Sequence, residues 1–209
     1  MKRTFDITVS LFGLIALLPL IAGLALWVRF SSRGPIIYRG LRAGRWGRPF
    51  LVMKFRSMVV GAERVGGPST AGDDPRVTRV GAFMRRYKLD ELPQLFNVLL
   101  GQMSLVGPRP EVLSEVDLYT EEQRRILDLR PGITDWASIW NSDEGAVLAC
   151  AADAHQVYKA RIQPTKLRLQ LKYLEEHSLR TDLRIICYTF LRLLRKDWMP
   201  MDLEPFGRP

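Results

Sequence analysis

The sequence has very few residues of the kinds that build metal centres and disulfide frameworks. Its 209 residues include two cysteines, Cys150 and Cys187, and two histidines, His155 and His177. Two cysteines are too few for a disulfide framework or a metal cluster, and the four residues show no metal-ligand spacing. The chain also lacks a zinc motif, a P-loop and a GxGxxG sequence that opens a helix. These absences argue against zinc, P-loop and dinucleotide chemistry.

Acidic residues are also scarce relative to basic ones. The chain has 22 Asp and Glu against 31 Lys and Arg, for a formal net charge of +9 and a pI of about 9.9. Such an excess suits a polyanionic partner, which can be nucleic acid, an anionic membrane surface or a phosphorylated substrate. A long apolar segment near the N-terminus favours the membrane. The length suffices for one domain with a real core.

The longest apolar run covers residues 7–28. At about 1.5 Å per residue it is just long enough to cross a bilayer core of about 30 Å. Lys2 and Arg3 provide the basic start of a signal peptide, but the run is long for one and no clear cleavage site follows. A simple transmembrane span conflicts with the positive-inside rule, because Lys2 and Arg3 precede the run and six arginines follow it: Arg29, Arg33, Arg39, Arg42, Arg45 and Arg48.

Pro19, near the middle of this run, removes one helical hydrogen bond and permits a bend. We therefore expect a re-entrant helix that dips into one leaflet and returns on the same side.

The segment after the apolar run alternates between strand and loop signals. Residues 35–38 and 50–55 predict two short strands of a hairpin around a Gly- and Arg-rich turn at residues 39–48. Residues 60–79 are rich in Gly, Pro, Ser and Asp and predict a loop, either a connector or a lid over a substrate. Residues 77–87 predict a short helix with apolar residues at helical spacing.

An adjacent acid pair, Asp90 and Glu91, lies at the centre of the most distinctive stretch. Pro93 places a helix start just after the pair, so the pair can simply be an N-cap. The surrounding cations and a turn rich in Gly and Pro also suit a phosphate site, in which one carboxylate holds Mg²⁺ and the other is base or nucleophile. Adjacent carboxylates fit a glycosidase less well, because its two acids flank the scissile bond.

Three motifs carry a resemblance to a known family: KFRSM at residues 54–58, LDELPQLFNVLLGQMSLVGPRPE at 89–111 and RPGIT at 130–134. The chain resembles the bacterial sugar transferase family, the small membrane-bound phosphoglycosyl transferases that act on polyprenol phosphate. The family's re-entrant helix is broken at a Ser-Pro pair, whereas Leu18 precedes Pro19 here. Asp135 stands where the family pattern has glycine, and Gln170 where it has an acid. Residues 141–163 have no clear counterpart in the small members.

The C-terminal half predicts mostly helices, at residues 111–119, 120–129, 164–177 and 183–196. Thr120 and Gln123 form a capping box, and Asp182 is expected to cap the last helix. The apolar face of that helix suits either the domain core or an anionic leaflet. The predicted fold is α+β and mostly helical. It has a membrane-embedded re-entrant helix at residues 1–30 and a small β-hairpin. A compact cytoplasmic catalytic domain at residues 31–209 carries interfacial amphipathic helices.

The resemblance implies transfer of a phospho-sugar from a nucleoside diphosphate sugar, expected to be a UDP-sugar, to polyprenol phosphate. This is the first membrane step of glycan assembly, at the cytoplasmic face of a bacterial inner membrane with anionic lipids as partners. Asp90 is expected to be the nucleophile and Glu91 the Mg²⁺ ligand, and four residues are expected to bind phosphate: Lys54, Arg85, Arg109 and Arg130. An inactive membrane scaffold and a membrane-anchored nucleic-acid binder remain alternatives, although no nucleic-acid recognition motif is present. A homodimer is left open.

Overall fold

The structure is a computed structural model that describes residues 1–65, 67, 69–195 and 197–207, with the side chains of Glu63 and Arg64 left aside. The helices are α1 (Lys2–Ser31), α2 (Ala62–Val65), α3 (Arg79–Arg86), α4 (Gln94–Leu99), α5 (Leu113–Val116), α6 (Glu121–Arg124), α7 (Trp136–Trp140), α8 (Glu144–Leu148), α9 (Ala154–Val157), α10 (Gln163–Glu176) and α11 (Leu179–Leu194). The strands are β1 (Ile37–Ala43), β2 (Pro49–Phe55), β3 (Ser104–Val106) and β4 (Gly132–Thr134). The chain is therefore mostly helical with small sheets, as predicted.

The apolar run forms α1, which is helical from Lys2 to Ser31 with Pro19 inside it. By length and composition it can cross a membrane, and only 17% of its most apolar window is buried against the rest of the chain. Its exposed residues include Phe12, Ile15 and Leu18. The predicted apolar helix is confirmed, and most of its side chains lie on the outside of the molecule.

Both ends of α1 pack on the rest of the chain. At the start, Lys2 Nζ donates to the Val106 carbonyl oxygen at 3.0 Å and pairs with Asp182. At the end, Val28 is buried in a cluster with Phe55 and Met84, from β2 and α3. An apolar helix with both ends held by one body runs along that body's surface.

The hairpin forms with longer strands than predicted. β1 and β2 pair antiparallel from Ile37↔Phe55 to Ala43↔Pro49, so the first half of the expected turn is strand. The turn is closed by Trp46 at φ 59°, a left-handed conformation that is uncommon for a residue other than glycine. The hairpin buries Phe50 and Val52 against Val98, which positions β2 beside α4.

Two short parallel strands, β3 and β4, were not predicted. Ser104 pairs with Gly132 and Val106 with Thr134. Gly107 and Gly132 pack so closely that a Cβ on Gly132 would come within 2.1 Å of the Gly107 backbone nitrogen, so both positions require glycine. The pairing brings the GPRP turn (residues 107–110) next to the RPGIT turn (residues 130–134).

The core lies under these strands and the C-terminal helices. Trp136, Trp140, Tyr173 and Ile185, from α7, α10 and α11, are almost fully buried there. The segment at residues 141–163 forms α8, α9 and a π-helical turn at Tyr158–Ile162 that leads into α10. It is therefore part of the folded domain.

The predicted helices of the second half are partly corrected. The capping box of Thr120 and Gln123 is present at the start of α6, and α10 covers the expected range. The last helix begins earlier than predicted, because Ser178 caps it; Asp182 is inside α11 and buried. Lys196, expected as its last residue, lies outside the described residues. Six large apolar side chains of α11 are exposed: Leu179, Leu183, Phe190, Leu191, Leu193 and Leu194.

Candidate active site

The acid pair occupies a short 3-10 turn, Leu89–Glu91, between α3 and α4. The turn starts at Lys88, which has a left-handed conformation with φ 57°, and α4 follows with Pro93 as its N-cap residue. Asp90 and Glu91 are both buried. Neither side chain makes an N-cap hydrogen bond to α4 within the described residues, so the simple capping interpretation does not account for the pair.

Glu91 is held by two cations from separate elements. Lys54 Nζ, at the end of β2, donates to its Oε1 at 2.8 Å. The Arg109 guanidinium, from the loop after β3, donates to the same oxygen at 2.5 Å and to Oε2 at 3.3 Å. Burial by itself raises the pKa of Glu91, but the charges of Arg109 and Lys54 outweigh it and hold that pKa well below its usual range.

Asp90 has a different environment, although it is the adjacent residue. Its carboxylate accepts no hydrogen bond from any residue in the described part of the chain. Burial raises its pKa, the charge of Lys54 opposes this rise, and the charge of Glu91 adds to it; the net direction is upward. A buried carboxylate without bonded partners is a stronger nucleophile than one held by two cations.

Arg85 is brought to the same site by α3. Its Nε donates to Ser57 Oγ at 3.0 Å, and its charge acts on Asp90. Thr78 caps α3 by accepting from the Gly81 backbone N–H at 2.9 Å. Lys54, Arg85 and Arg109 therefore surround the acid pair from three elements, with guanidinium forks that suit phosphate oxygens.

Arg130 is not brought to this cluster. Its Nε donates to the Gly101 carbonyl oxygen at 3.0 Å, and its side chain lines a separate cavity beside Lys2 and Arg3. The main chain of Arg130 packs on Gly107, whereas its guanidinium group binds the main chain after α4. The structure therefore shows the Arg130 side chain in contacts separate from those of Lys54, Arg85 and Arg109, and its role in binding phosphate stays a prediction.

Asp135 and Gln170, the two departures from the family pattern, contact each other. Gln170 Nε2 lies 3.3 Å from Asp135 Oδ2, and the same oxygen accepts from the Arg109 backbone N–H at 3.2 Å. Asp135 Oδ1 caps α7 through Ser138. The acid at residue 135 thus anchors the loop that carries Arg109. Sequence reasoning recorded both departures but could not pair residues on different elements.

Removing the Asp135 carboxylate is expected to loosen Arg109 without removing any group that touches the acid pair. For Asp135→Ala we expect a loss of stability of about 1–3 kcal/mol, from a lost cap and an unpaired buried N–H. We expect kcat/KM to fall about tenfold or more. Thermal unfolding and steady-state kinetics check this. Asp143→Ala is the matched control, because Asp143 also caps a helix through Ala146; an equal kinetic loss there would contradict the positioning role.

The predicted loop at residues 60–79 is seated on the segment at residues 141–163. The Gly72 N–H donates to the Gly145 carbonyl oxygen at 2.8 Å, and Ser69 Oγ lies 3.1 Å from His155 Nδ1. Arg76 binds Asp74 and the carbonyl oxygens of the same loop. Gly66 and Pro68 lie outside the described residues. These contacts hold the loop against α8 and α9.

A second buried ionic cluster was missed by sequence reasoning. Glu111 pairs with Lys166 and accepts from Tyr158 Oη at 2.8 Å. Burial by itself raises the pKa of Glu111, but Lys166 and Tyr158 bring it below its usual range. Glu111 closes the GPRPE motif, so the cluster joins the motif to α10. Glu111 was quoted within the motif but had no visible partner in the sequence.

Whether Mg²⁺ fits this site depends on the phosphate groups of the bound substrate. Among the described residues, no group of three or more His, Cys, Asp and Glu side chains could hold a metal ion. Mg²⁺ is commonly held by one or two carboxylates together with substrate phosphates. Both oxygens of Glu91 are engaged by cations. Asp90 and Glu91 therefore fit Mg²⁺ only when phosphate oxygens complete its ligand shell and draw a cation away from Glu91.

Comparison with known proteins gives one consistent result. The family model described as bacterial sugar transferase matches residues 1–196. The chain is 36% identical over 201 residues to the UDP-glucose:undecaprenyl-phosphate glucose-1-phosphate transferase of Escherichia coli (strain K12), covering 92% of this chain and 40% of the relative. It is 39% identical over 202 residues to the undecaprenyl-phosphate glucose phosphotransferase of Komagataeibacter xylinus, covering 91% and 35%. It is 35% identical over 194 residues to the uncharacterized sugar transferase EpsL of Bacillus subtilis (strain 168), covering 93% and 87%.

The chain thus spans less than half the length of the first two relatives and most of the third.

Proposed function

The chain belongs to the bacterial sugar transferase family, and from this we propose that it is a phosphoglycosyl transferase. It transfers a phospho-sugar from a nucleoside diphosphate sugar, with UDP-sugars as the expected donors, to a polyprenol phosphate. The names of two relatives support this choice, since they specify glucose phosphotransfer to undecaprenyl phosphate. The product is the first lipid-linked intermediate of a polysaccharide or a related glycan.

The observation that supports the proposal is that two adjacent carboxylates have different environments. Glu91 is bound by Lys54 and Arg109, whereas Asp90 accepts no hydrogen bond from the described residues. The division suits a reaction in which one acid attacks while the other organises charge. It also matches the general rule that paired acids with diverging pKa values take different roles.

In the first step, a carboxylate oxygen of Asp90 attacks the phosphorus that carries the sugar. A bond forms between this oxygen and phosphorus, the bond to the bridging diphosphate oxygen breaks, and nucleoside monophosphate leaves with the electron pair. Lys54, Arg85 and Arg109 are placed to neutralise the phosphate oxygens, without which a carboxylate could not approach. The product is a phospho-sugar ester on Asp90.

In the second step, a phosphate oxygen of the polyprenol phosphate attacks the same phosphorus. The new bond gives a polyprenyl diphosphate sugar, and the Asp90 carboxylate leaves with its electrons restored. Mg²⁺, held by Glu91 together with donor phosphates, would stabilise negative charge on these oxygens. When Mg²⁺ binds Glu91, Lys54 and Arg109 would be released from it and could bind the phosphate oxygens of the substrate instead.

The placement of α1 supports a catalytic domain on one side of the membrane, and we propose that this is the cytoplasmic side. Both of its ends pack on the catalytic domain, which a helix spanning the bilayer could do only if the domain lay on both sides. We propose a re-entrant or surface-lying α1, so that the acceptor's phosphate and the soluble donor meet at headgroup depth. Labelling of single cysteines substituted at Met1 and at Arg33 is expected to place both positions on the same side of the membrane. A periplasmic position for residue 1 would contradict this topology.

The identity of the leaving group tests the reaction type. Incubation with Mg²⁺, a panel of UDP-sugars and a polyprenol phosphate is expected to release nucleoside monophosphate in step with lipid-linked product. Glycosyl transfer, in contrast, releases nucleoside diphosphate. Release of nucleoside diphosphate would rule out the proposed reaction, and absence of turnover across the panel would favour an inactive scaffold.

The raised pKa of Asp90 predicts where activity is lost in acid. The nucleophile must be ionised, so kcat/KM, which reports the free enzyme, is expected to fall as the pH drops through the pKa of Asp90, above the usual value of about 4. Lys54 lowers this pKa, so Lys54→Gln is expected to move the acid limb to higher pH. A limb that stays in place in Lys54→Gln would contradict this electrostatic assignment.

A further inference from the structure

A cavity of about 300 Å³ lies at the start of α1, apart from the acid pair. Four cationic side chains line it, namely Lys2, Arg3, Arg45 and Arg130. Neither Asp90 nor Glu91 is among its lining residues. The cavity gathers residues from α1, from the hairpin turn and from the RPGIT turn, which are far apart in the sequence.

The three arginines have no acidic partner. Arg3 donates to the Val98 carbonyl oxygen at 2.6 Å, Arg45 to that of Asp128 at 2.7 Å and Arg130 to that of Gly101 at 3.0 Å. Within the described ranges none of them forms an ion pair with a carboxylate, whereas Lys2 is paired with Asp182. Main-chain carbonyl groups orient these guanidinium groups but do not neutralise them.

The acids of the cavity offset part of this charge, but neither pairs directly with one of the three arginines within the described residues. Asp6 is buried, and its two oxygens accept from Ser104 Oγ at 2.8 Å and from the Leu105 N–H at 3.2 Å. Its carboxylate is therefore directed to β3. Asp128 is the other acid in the lining. Three guanidinium groups around one cavity repel one another, and an anion that enters the cavity relieves that repulsion.

The free nitrogen atoms favour a phosphate. Arg45 and Arg130 each use Nε for the carbonyl contact, which leaves both terminal nitrogens of each fork for an oxyanion. Such forks match the oxygen spacing of phosphate. The cavity is larger than a single phosphate group and has room for the polar part of a headgroup.

The rim of the cavity indicates that the phosphate is carried by a lipid. Leu100 is 65% exposed and lies between Leu99 and Gly101, whose carbonyl oxygens bind Arg3 and Arg130. Trp46, the neighbour of the lining residue Arg45, is 59% exposed, and its ring lies 4.3 Å from the Arg45 guanidinium. Exposed apolar and tryptophan side chains above a cationic floor are typical of a headgroup-level site.

We propose that this cavity binds the phosphate of an anionic phospholipid headgroup, separately from the phosphates that react at Asp90. The bound lipid ties the start of α1, the hairpin turn and the RPGIT turn to the membrane surface. In this proposal the phosphate that Arg130 binds belongs to a lipid headgroup and not to the sugar donor. The bound lipid also sets the height and tilt at which the acid pair faces the bilayer.

The proposal is tested by thermal unfolding of the full chain in neutral detergent. Added dioleoylphosphatidylglycerol is expected to raise the Tm by about 5 °C at saturation, and dioleoylphosphatidylcholine is expected to leave it unchanged. In the Arg45→Gln/Arg130→Gln double variant, the rise in Tm with dioleoylphosphatidylglycerol is expected to be less than about 1 °C. The charge-retaining Arg45→Lys/Arg130→Lys variant is expected to keep most of it.

Two controls make the result specific. Arg125→Gln/Arg168→Gln removes the same charge from exposed arginines outside the cavity and is expected to keep the full rise. Arg45→Gln alone preserves the Arg130 contact with Gly101, so it tests the site even if the double variant folds poorly; about half of the rise is expected to remain.

Three outcomes would overturn the proposal. The first is an undiminished rise in Arg45→Gln/Arg130→Gln. The second is an equal rise with inorganic phosphate, which would make the cavity a site for soluble anions. The third is a rise with polyprenol phosphate but none with phosphatidylglycerol, which would make it an acceptor site.

Discussion

Asp90→Asn is expected to abolish turnover while leaving the protein as stable as the wild type or more stable. The amide cannot form the phospho-sugar ester, and loss of a nucleophile typically costs a factor of about 10⁴–10⁶ in kcat. Because folding raises the pKa of Asp90, the ionised carboxylate destabilises the folded state at neutral pH. The neutral amide removes this penalty, so the Tm is expected to stay equal or rise.

Steady-state kinetics and thermal unfolding of the same preparation separate the two effects. Asp117→Asn is the matched control, because Asp117 is an exposed acid whose side chain forms no ion pair in the described part of the chain. Both activity and Tm should stay at wild-type values. Substantial turnover by Asp90→Asn would exclude Asp90 as the nucleophile. A large fall in its Tm would show that the carboxylate is structural.

Glu91→Gln is expected to lose activity as well, but with the opposite effect on stability. It leaves Lys54 and Arg109 without their anionic partner. Breaking a buried ion pair costs about 3–5 kcal/mol. Lys54 and Arg109 keep 25% and 32% of their side-chain surface in water, so we expect about 2 kcal/mol here and a fall in Tm of about 6 °C. Glu121→Gln, at an exposed helix position, is the control.

The loss of stability in Glu91→Gln is expected to be smaller at low pH. Folding lowers the pKa of Glu91, so its ion pairs stabilise the protein above the unfolded-state pKa of about 4.3. That contribution disappears as the pH falls through the folded-state pKa. The Tm gap between wild type and Glu91→Gln should therefore be full at pH 7 and narrow progressively below about pH 4. A gap independent of pH would contradict the ion-pair account.

Elements with a long, regular signal could be predicted from the sequence. Residues 7–28 and 164–177 carry enough apolar or helical residues to predict α1 and α10, and the hairpin follows from two strand-like runs around a glycine-rich turn. The strand ends were misjudged by several residues, because β1 extends to Ala43 through pairing with Pro49. Pairing partners, rather than local preference, decide where such strands end.

Elements that depend on distant contacts could not be predicted. β3 and β4 are three residues each and stabilise one another only through pairing across the chain, so neither has a periodic signal of its own. The start of α11 shows the same limit. Ser178 and Asp182 are both good caps, and the tertiary contacts of Asp182 with Lys2 and Tyr173 assign it to the helix interior.

The candidate site was predictable where a motif held its residues together. The acid pair, Lys54 and Arg109 come from the recognised stretches, and the structure brings them together with Arg85, which lies just before the central stretch. Arg130 comes from RPGIT, which is a weak motif on its own, and its side chain lines another cavity. The contact between Asp135 and Gln170 could not be predicted from the sequence either, because 35 residues separate them. A motif identifies chemistry; only the fold determines which motifs meet.

The most direct test of the central claim is the intact mass of the purified chain after incubation with Mg²⁺ and UDP-sugars in the absence of lipid. The account predicts an adduct with the mass of one phospho-sugar on the wild type and none on Asp90→Asn. Subsequent addition of polyprenol phosphate should remove the adduct and yield the lipid-linked product. Full turnover with lipid but no adduct at any time of quenching, or an adduct of equal yield on Asp90→Asn, would contradict it.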